Sequence, residues 1–171
     1  MIRRTSAAAL LVLTLVAAGG AATAVVKNGD EGDNKLTGTA GRDTLRGLQG
    51  DDRLFGLGGN DRLVGGTGND VVKGGKGKDY LVGNAGKDRI SSGFDSLDDT
   101  VAAGLGDDVV YISGGDEVFA IGGDDRIFAT YPAADMFIDC GDGDDSVTFN
   151  EEPPAELFLV DCESVEVKSA G

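Results

Sequence analysis

Hydrophobic and polar positions recur with a period of nine residues from Gly29 to Ser91. In seven consecutive rows the eighth position is aliphatic, the first and fourth are glycine, and the sixth is aspartate or asparagine. The eighth position holds Leu36, Leu45, Leu54, Leu63, Val72, Leu81 and Ile90. The sixth position holds Asn34, Asp43, Asp52, Asp61, Asp70, Asp79 and Asp88. A register kept without insertion or deletion predicts a repeated structural unit.

Each row predicts a six-residue glycine turn followed by a strand of three residues. Invariant glycine at two turn positions indicates backbone dihedrals that other residues rarely adopt. One inward aliphatic residue in each row cannot bury itself, so copies of the unit have to stack. Two rows then complete one coil and equivalent loops return every 18 residues. The pattern therefore predicts an all-β protein, a β-solenoid.

Stacking places the sixth-position carboxylates in ladders at the strand spacing of about 4.8 Å. Like charges at that distance repel, so a cation is needed between successive loops. Carboxylates and loop carbonyls are hard oxygen donors of the kind that calcium prefers, whereas magnesium demands stricter octahedral geometry. The fourth-position glycines are the candidate carbonyl donors: Gly41, Gly50, Gly59, Gly68, Gly77 and Gly86. Five pairs of loops 18 residues apart predict about five Ca²⁺ sites in these rows.

The rows resemble the nine-residue pattern G-G-x-G-x-D-x-U-x of the RTX, or hemolysin-type, calcium-binding repeat proteins. The resemblance implies a right-handed parallel β-roll that binds calcium in its loops, and a small secreted member of the family. It is strict over residues 29–91 and looser to about Val147. The second position departs from the pattern, because only Gly66 and Gly75 are glycine there. Asn34 replaces the first aspartate, so its site is expected to be the weakest.

Beyond Ser91 the order of acid, spacer and aliphatic residue continues at irregular spacing, which predicts imperfect coils over residues 92–129. The repeat domain is therefore assigned to residues 25–129. Residues 130–171 lack the glycine pattern and are expected to form a C-terminal strand cap. Cys140 and Cys162 are the two cysteines, and in an exported chain they predict one disulfide bond in this cap. A redox or metal-binding cysteine pair is the alternative.

Residues 1–24 have the features of a signal peptide. Arg3 and Arg4 precede an apolar stretch from Ala7 to Ala18, and small residues end the segment at Ala24. An uncleaved membrane anchor is the alternative, although the stretch is short for a span of about 20 residues. The export route, general or twin-arginine, stays open. The chain is therefore expected to be secreted, with no membrane span after cleavage.

Composition narrows the chemistry. The 171 residues include no histidine and carry a formal charge of −15, which excludes a His-ligated zinc, a Ser-His-Asp triad and general nucleic-acid binding. The charge is uneven: residues 25–91 hold 11 basic and 10 acidic residues, net +1, whereas residues 92–171 hold 2 and 20, net −18. Eight of these 11 basic side chains are expected to face little opposing charge once calcium is bound: Arg42, Arg53, Arg62, Lys73, Lys76, Lys78, Lys87 and Arg89.

These observations favour a secreted, non-enzymatic calcium-binding repeat protein that folds on meeting extracellular calcium. A calcium-dependent polysaccharide-binding or adhesive module at the cell surface is the alternative, with an anionic polysaccharide or the cell envelope as partner, because filled sites would make residues 25–91 strongly positive. A solvated face that keeps the protein soluble explains the same charges. A glycosidase is discounted, since the repeated aspartates are already explained as ligands.

Overall fold

The computed structural model describes residues 13–14 and 23–168, which form 17 β-strands in two sheets. Most of the predicted signal peptide, 1–24, lies outside the described residues. The strands are β1 Leu13–Thr14, β2 Val25–Asn28, β3 Lys35–Thr37, β4 Thr44–Gln49, β5 Arg53–Gly58, β6 Arg62–Thr67, β7 Val71–Lys76, β8 Tyr80–Ala85, β9 Arg89–Ser91, β10 Thr100–Leu105, β11 Val109–Gly114, β12 Glu117–Gly122, β13 Arg126–Pro132, β14 Phe137–Asp139, β15 Ser146–Phe149, β16 Phe158–Val160 and β17 Ser164–Val167.

The strands alternate between the two sheets, so the chain winds as a parallel β-solenoid. Sheet A has the order β1-β2-β4-β6-β8-β10-β12-β14-β16, and sheet B has the order β3-β5-β7-β9-β11-β13-β15-β17. All pairings are parallel except that between β1 and β2. The eight strands of sheet B correspond to eight coils. This confirms the predicted all-β solenoid, and among the described residues no helix is long and apolar enough to cross a membrane.

Register between coils follows the predicted interval of 18 residues in the strict rows. Arg53 pairs with Val71, and Arg62 pairs with Tyr80. The interval changes to 20 at the pairing of Tyr80 with Thr100, and later strands keep an irregular spacing. The solenoid absorbs these insertions in its loops, because main-chain pairing needs only that the strand backbones meet.

The strands between the first and last strict rows are longer than the three residues predicted. Strands β4 to β8 each contain six residues, and among the strands of the strict rows β3 and β9 contain three. In the rows from Gly47 onward the second and third positions also pair with a neighbouring coil, as Leu48 does with Gly66. The prediction was wrong here because glycine marks a bend within the strand, and hydrogen bonding continues on both sides of that bend.

The core consists of the aliphatic columns predicted from the eighth positions. Leu45, Leu54, Leu63, Leu81 and Ile90 are completely buried. The columns continue beyond the strict rows through Val101, Val110, Val118, Ile127, Ile138 and Val147, which are also completely buried. In the strict rows the core is therefore narrow, with one side chain from each sheet in each coil, and it widens in the irregular rows, where residues such as Ile112 and Phe149 are also buried.

The last segment continues both sheets. Strand β13 crosses the boundary predicted at residues 129 and 130, and β14 pairs in parallel with β12. The predicted disulfide is confirmed: Cys140 and Cys162 are bonded, with their Cα atoms 5.2 Å apart. It ties the residue after β14 to the loop between β16 and β17, and so links the two final coils.

Candidate metal centre

The sixth-position aspartates form two buried columns, one along each edge of the solenoid. Column one contains Asp43, Asp61, Asp79, Asp99 and Asp116. Column two begins at Asn34 and continues through Asp52, Asp70, Asp88, Asp108, Asp125 and Asp145. Each of these aspartates is at most 3% exposed. The turn that carries each strict-row carboxylate comprises the fourth to sixth positions, where the chain passes from one sheet to the other.

One oxygen of each carboxylate joins neighbouring coils. The backbone N–H of Asp52 donates to Oδ1 of Asp70 over 2.8 Å, and the N–H of Asp70 donates to Oδ1 of Asp88 over 2.7 Å. The same contact continues past the strict rows, where the N–H of Asp125 donates to Oδ1 of Asp145 over 2.7 Å. The carboxylates are therefore held in place by the main chain of the preceding coil.

The other carboxylate oxygen, Oδ2, has no protein partner in most aspartates of the two columns. Eight buried Oδ2 atoms lack a hydrogen bond within the described residues; they belong to Asp52, Asp61, Asp70, Asp79, Asp88, Asp108, Asp125 and Asp145. A buried carboxylate oxygen without a donor is expensive unless something else binds it. Repetition of the same orphan atom in successive coils indicates a common missing ligand.

The orphan oxygens face the first-position glycines. A Cβ atom placed on Gly47 would lie 2.1 Å from Oδ2 of Asp52 and 2.5 Å from the carbonyl oxygen of Gly65 in the next coil. Around Gly56 the corresponding distances are 2.3 Å to Oδ2 of Asp61 and 2.5 Å to the carbonyl of Gly74. Glycine therefore leaves a space where one carboxylate and one carbonyl oxygen converge, and any larger residue would fill it.

This donor set suits a hard cation. Between residues 23 and 168, no three His, Cys, Asp or Glu side chains gather into a metal-binding group. Each of these loops instead supplies one buried carboxylate, and main-chain carbonyls have to complete the coordination. Oxygen-only coordination with many carbonyl donors fits calcium better than magnesium or zinc.

Burial changes the acidity of the columns. Loss of solvation raises the pKa of Asp61 and Asp70 to about 7, and that of Asp79 and Asp88 to about 6, although the hydrogen bond from the preceding coil opposes the rise. Asp99 has its pKa raised to about 8 by the same desolvation. Neighbouring carboxylates add repulsion. Without a cation, the ionised columns oppose folding near neutral pH.

The first loop carries Asn34 at the sixth position, and its side chain is bonded within the loop. Its side-chain oxygen accepts the N–H of Asp30 over 2.7 Å, and its amide nitrogen donates to Asp30 Oδ1 over 3.0 Å. The Asn34 side chain is thus satisfied by its own loop. At the other end of column two, Glu163 accepts the N–H of Asp145 over 2.9 Å. The sequence pattern did not single out Glu163, because it lies one coil beyond the last acid of the irregular rows.

The fourth-position glycines lie against each other along the edges. Gly50, Gly59, Gly68, Gly77 and Gly86 all have positive φ angles, from 99° to 133°. A Cβ atom on Gly68 would lie 2.2 Å from the carbonyl oxygen of Gly50. The turn therefore needs glycine for both its dihedral angle and its close contact between coils, and the same contact aligns the loop carbonyls.

The irregular rows differ from the strict rows at the first position. There the glycine is replaced by buried side chains: Ser92, Ala103, Ile112, Ala120, Ala129, Cys140 and Phe149. These side chains enlarge the core on the inner side of the loops. The sequence contained a signal for this wider core, because the first-position glycine disappears after Gly83. The signal could be interpreted only once the structure showed that first-position side chains point into the core.

Comparison with known families agrees with this geometry. A family model described as RTX calcium-binding nonapeptide repeat (4 copies) matches residues 28–63 and residues 55–90. Comparisons with curated proteins and with solved structures gave no match. The matched rows contain the columns of buried carboxylates, the first-position glycines and the loop carbonyls described above. Residues 28–90 are therefore an array of RTX calcium-binding nonapeptide repeats, folded as the first part of a longer β-solenoid.

Proposed function

We propose that this protein is a secreted, non-enzymatic calcium-binding protein whose solenoid folds when calcium fills the loops along its two edges. The observation that carries the proposal is the row of buried carboxylate oxygens without partners. Calcium binding would supply the missing ligand and cancel the repulsion within each column. Secretion is supported by the leader-like sequence of residues 1–24 and by the disulfide bond, which is typical of oxidising compartments.

The strict array contains five loop pairs in which a sixth-position residue lies one coil from the next. The pairs are Asn34/Asp52, Asp43/Asp61, Asp52/Asp70, Asp61/Asp79 and Asp70/Asp88. Further pairs follow in the irregular rows, such as Asp108/Asp125, where both Oδ2 atoms are orphaned. These rows carry larger first-position side chains, so we expect their sites to bind more weakly than the five strict ones.

A non-catalytic role is supported by the equivalence of the acids. A glycosidase needs two carboxyl groups with different environments, one protonated and one ionised, on either side of a bound sugar. Here Asp61, Asp70 and their neighbours repeat one environment from coil to coil, with the same hydrogen bond and the same orphan oxygen. Such a ladder suits the repeated binding of one ion.

The test is a calorimetric calcium titration combined with far-ultraviolet circular dichroism on the chain from Val25 onward. In excess chelator at neutral pH we expect a largely disordered chain, and calcium should restore the β signal with a stoichiometry near five or above. Magnesium at the same concentration is the control and should restore little. A full β signal in chelator at pH 7.5 would contradict the proposal.

A second candidate function is binding to an anionic polysaccharide, and the outer face of sheet B favours it. The seventh and ninth positions of its strands carry Lys35, Arg53, Lys73, Arg89 and Arg126. In the described strands β3 to β15, none of these outward positions is acidic. The Lys35 ammonium lies 5.6 Å from the centre of the Phe55 ring.

The structure separates these bases from others that sequence alone grouped with them. Arg62 lies on sheet A, and Lys87 pairs with Asp107 in a loop. Retention on an alginate column in calcium should decrease for the double variant Arg53→Glu/Arg89→Glu. The matched control is Arg42→Glu in an exposed turn, doubled with Lys78→Glu to equalise the charge change. Equal losses of retention for both variants would show that binding depends on net charge and not on the outer face of sheet B.

A further inference from the structure

The outer face of sheet A carries a mixed apolar and charged surface, which we call face A. It consists of the seventh and ninth positions of the even-numbered strands: Val26, Asn28, Thr44, Arg46, Arg62, Val64, Tyr80, Val82, Thr100, Ala102, Glu117, Phe119, Phe137, Asp139, Phe158 and Val160. All of these residues are half-buried or exposed, whereas the eighth positions between them point into the core. Nothing among the described residues covers face A.

Face A exposes more apolar surface than an isolated solenoid requires. Tyr80 is 39% exposed, Phe119 37% and Phe158 64%. Near the middle of the face is an open groove of about 290 Å³, lined in part by Val82, Ala102, Leu105 and Ile121. Aromatic and aliphatic side chains grouped on a flat sheet in this way mark an interaction surface.

The charges of face A are ordered along the solenoid. Arg46 lies on β4 and Arg62 on β6, whereas Glu117 lies on β12 and Asp139 on β14. Within the described residues none of the four forms an ion pair. Counted among the eight strands from β2 to β16, Arg46 is on the second strand from one end and Asp139 is on the second strand from the other end. Arg62 and Glu117 are likewise each on the third strand from opposite ends.

We propose that face A binds face A of a second copy of this chain around a twofold axis. The axis lies in the interface, runs parallel to the strands and passes between β8 and β10. This rotation reverses the order of the coils but leaves the position along the strand unchanged. Each row position, such as the seventh or the ninth, therefore lies opposite the same row position of the partner. The rotation brings β4 opposite β14 and β6 opposite β12.

The symmetry places opposite charges against each other at the same row positions. Arg46 and Asp139 both occupy the ninth position, and Arg62 and Glu117 both occupy the seventh. Each pair forms twice in a twofold dimer, which makes four contacts between opposite charges. The centre of the interface would contain Val82 opposite Ala102, two positions that are neighbours in the sheet of one chain.

Side-chain size along the second position fits the same rotation. Leu48, Asn84 and Ile121 adopt positive φ angles of 89°, 81° and 85° there, and they alternate with Gly66, Gly104 and Gly141. Reversing the coil order places each large residue opposite a glycine. Leu48 and Ile121 are about half exposed, so their side chains are free to contact a partner.

The third position of β8 and β10 gives one more size match. Leu105 is 62% exposed on β10, and the rotation places it opposite Ala85 on β8. Both residues line the groove described above. The two copies of Leu105 would therefore enter the two grooves from opposite sides.

The area of face A is sufficient for a dimer. The eight strands from β2 to β16 contain 40 residues, and each residue covers about 4.8 Å by 3.3 Å of the sheet. This gives about 630 Å² for each copy, or about 1,270 Å² in total, which exceeds the roughly 1,000 Å² expected of a specific interface. The dimer would leave both sheet B faces free on opposite sides.

The test is sedimentation equilibrium of the full chain in millimolar calcium, so that the solenoid is folded. The wild-type chain should dimerise, Arg62→Glu should raise the dissociation constant about tenfold, and Glu117→Arg should do the same. The double variant Arg62→Glu/Glu117→Arg should return to within about threefold of wild type. Within one chain these residues lie three strands apart, about 14 Å, so rescue would require contact between copies.

Two further variants keep the test independent of folding and of net charge. Arg53→Glu makes the same charge change on sheet B and should leave dimerisation unchanged. Ala102→Arg, near the axis, should abolish the dimer while circular dichroism and the calcium titration stay as in wild type. A wild-type monomer with normal calcium binding would overturn the dimer and leave the proposed function standing. Equal weakening by Arg53→Glu and Arg62→Glu, without rescue, would also overturn it.

Discussion

Replacing Asp70 by asparagine should change stability in opposite directions with and without calcium. Asp70 is 1% exposed, its Oδ1 accepts the N–H of Asp52, and its Oδ2 has no partner. Asparagine keeps the shape and one acceptor but removes the charge. In chelator this removes a buried anion and should stabilise the solenoid, whereas in calcium it removes a proposed ligand shared by the loops of Asp52 and Asp88.

The magnitude follows from the acidity of the buried group. Desolvation raises the pKa of Asp70 from 3.8 to about 7. Three units correspond to about 4 kcal/mol as an upper limit for keeping this carboxylate ionised in the metal-free fold. Water entering the loop and the unpaired amide hydrogens of asparagine both reduce this gain. We therefore expect a stabilisation of about 1–2 kcal/mol in chelator at pH 8.

The pH dependence has a definite sign. Because the pKa of Asp70 is higher in the folded chain than in the unfolded chain, the native state binds more protons between about pH 4 and pH 7. The metal-free fold is therefore most stable at the acidic end and loses stability as pH rises through this window. The advantage of the asparagine variant should shrink by about half or more between pH 8 and pH 5.

The assay is far-ultraviolet circular dichroism against trimethylamine oxide concentration in chelator, since an excluded osmolyte allows a disordered chain to refold. Asp70→Asn should refold at a lower osmolyte concentration than wild type at pH 8. In a calcium titration it should need about tenfold more calcium. Glu31→Gln, in an exposed turn of the first loop, removes the same charge away from Asp70; it is the control and should change neither. A variant less stable than wild type in chelator at pH 8 would refute the reasoning.

Three other predictions test the loops, the backbone and the disulfide. Gly65→Ala should raise the calcium midpoint severalfold in a calorimetric titration, because its Cβ atom would lie 2.3 Å from an orphan carboxylate oxygen. Leu57→Gly should alter the free energy of unfolding in urea by less than about 1 kcal/mol, because Leu57 is 54% exposed and has a φ of 80° that glycine adopts easily. Leu54→Gly should lower this free energy by about 3–5 kcal/mol, because Leu54 is completely buried. Reducing the Cys140–Cys162 disulfide should lower unfolding free energy by about 3 kcal/mol.

Most of the solenoid follows from the period of nine residues. A single aliphatic residue in each row has to face inward. Leu54 on sheet B and Leu63 on sheet A are accordingly buried in the core. The same period placed the sixth-position acids one coil apart, because residues 18 apart occupy equivalent positions once two rows close a coil. The disulfide was predictable because the chain has two cysteines.

The features that depend on contacts between coils became visible in the three-dimensional fold. Glycine at the first position looked like part of a loop, but pairing with the next coil makes it a bend inside a strand, and Gly47 faces a carboxylate of its own loop. The continuation of both sheets through β17 was not readable from the sequence, because parallel main-chain pairing does not require the glycine pattern. The division of basic residues between two faces also needed the structure. Arg53 and Arg62 are nine residues apart and occupy equivalent positions in their rows, yet they lie on opposite sheets because each row crosses the solenoid once.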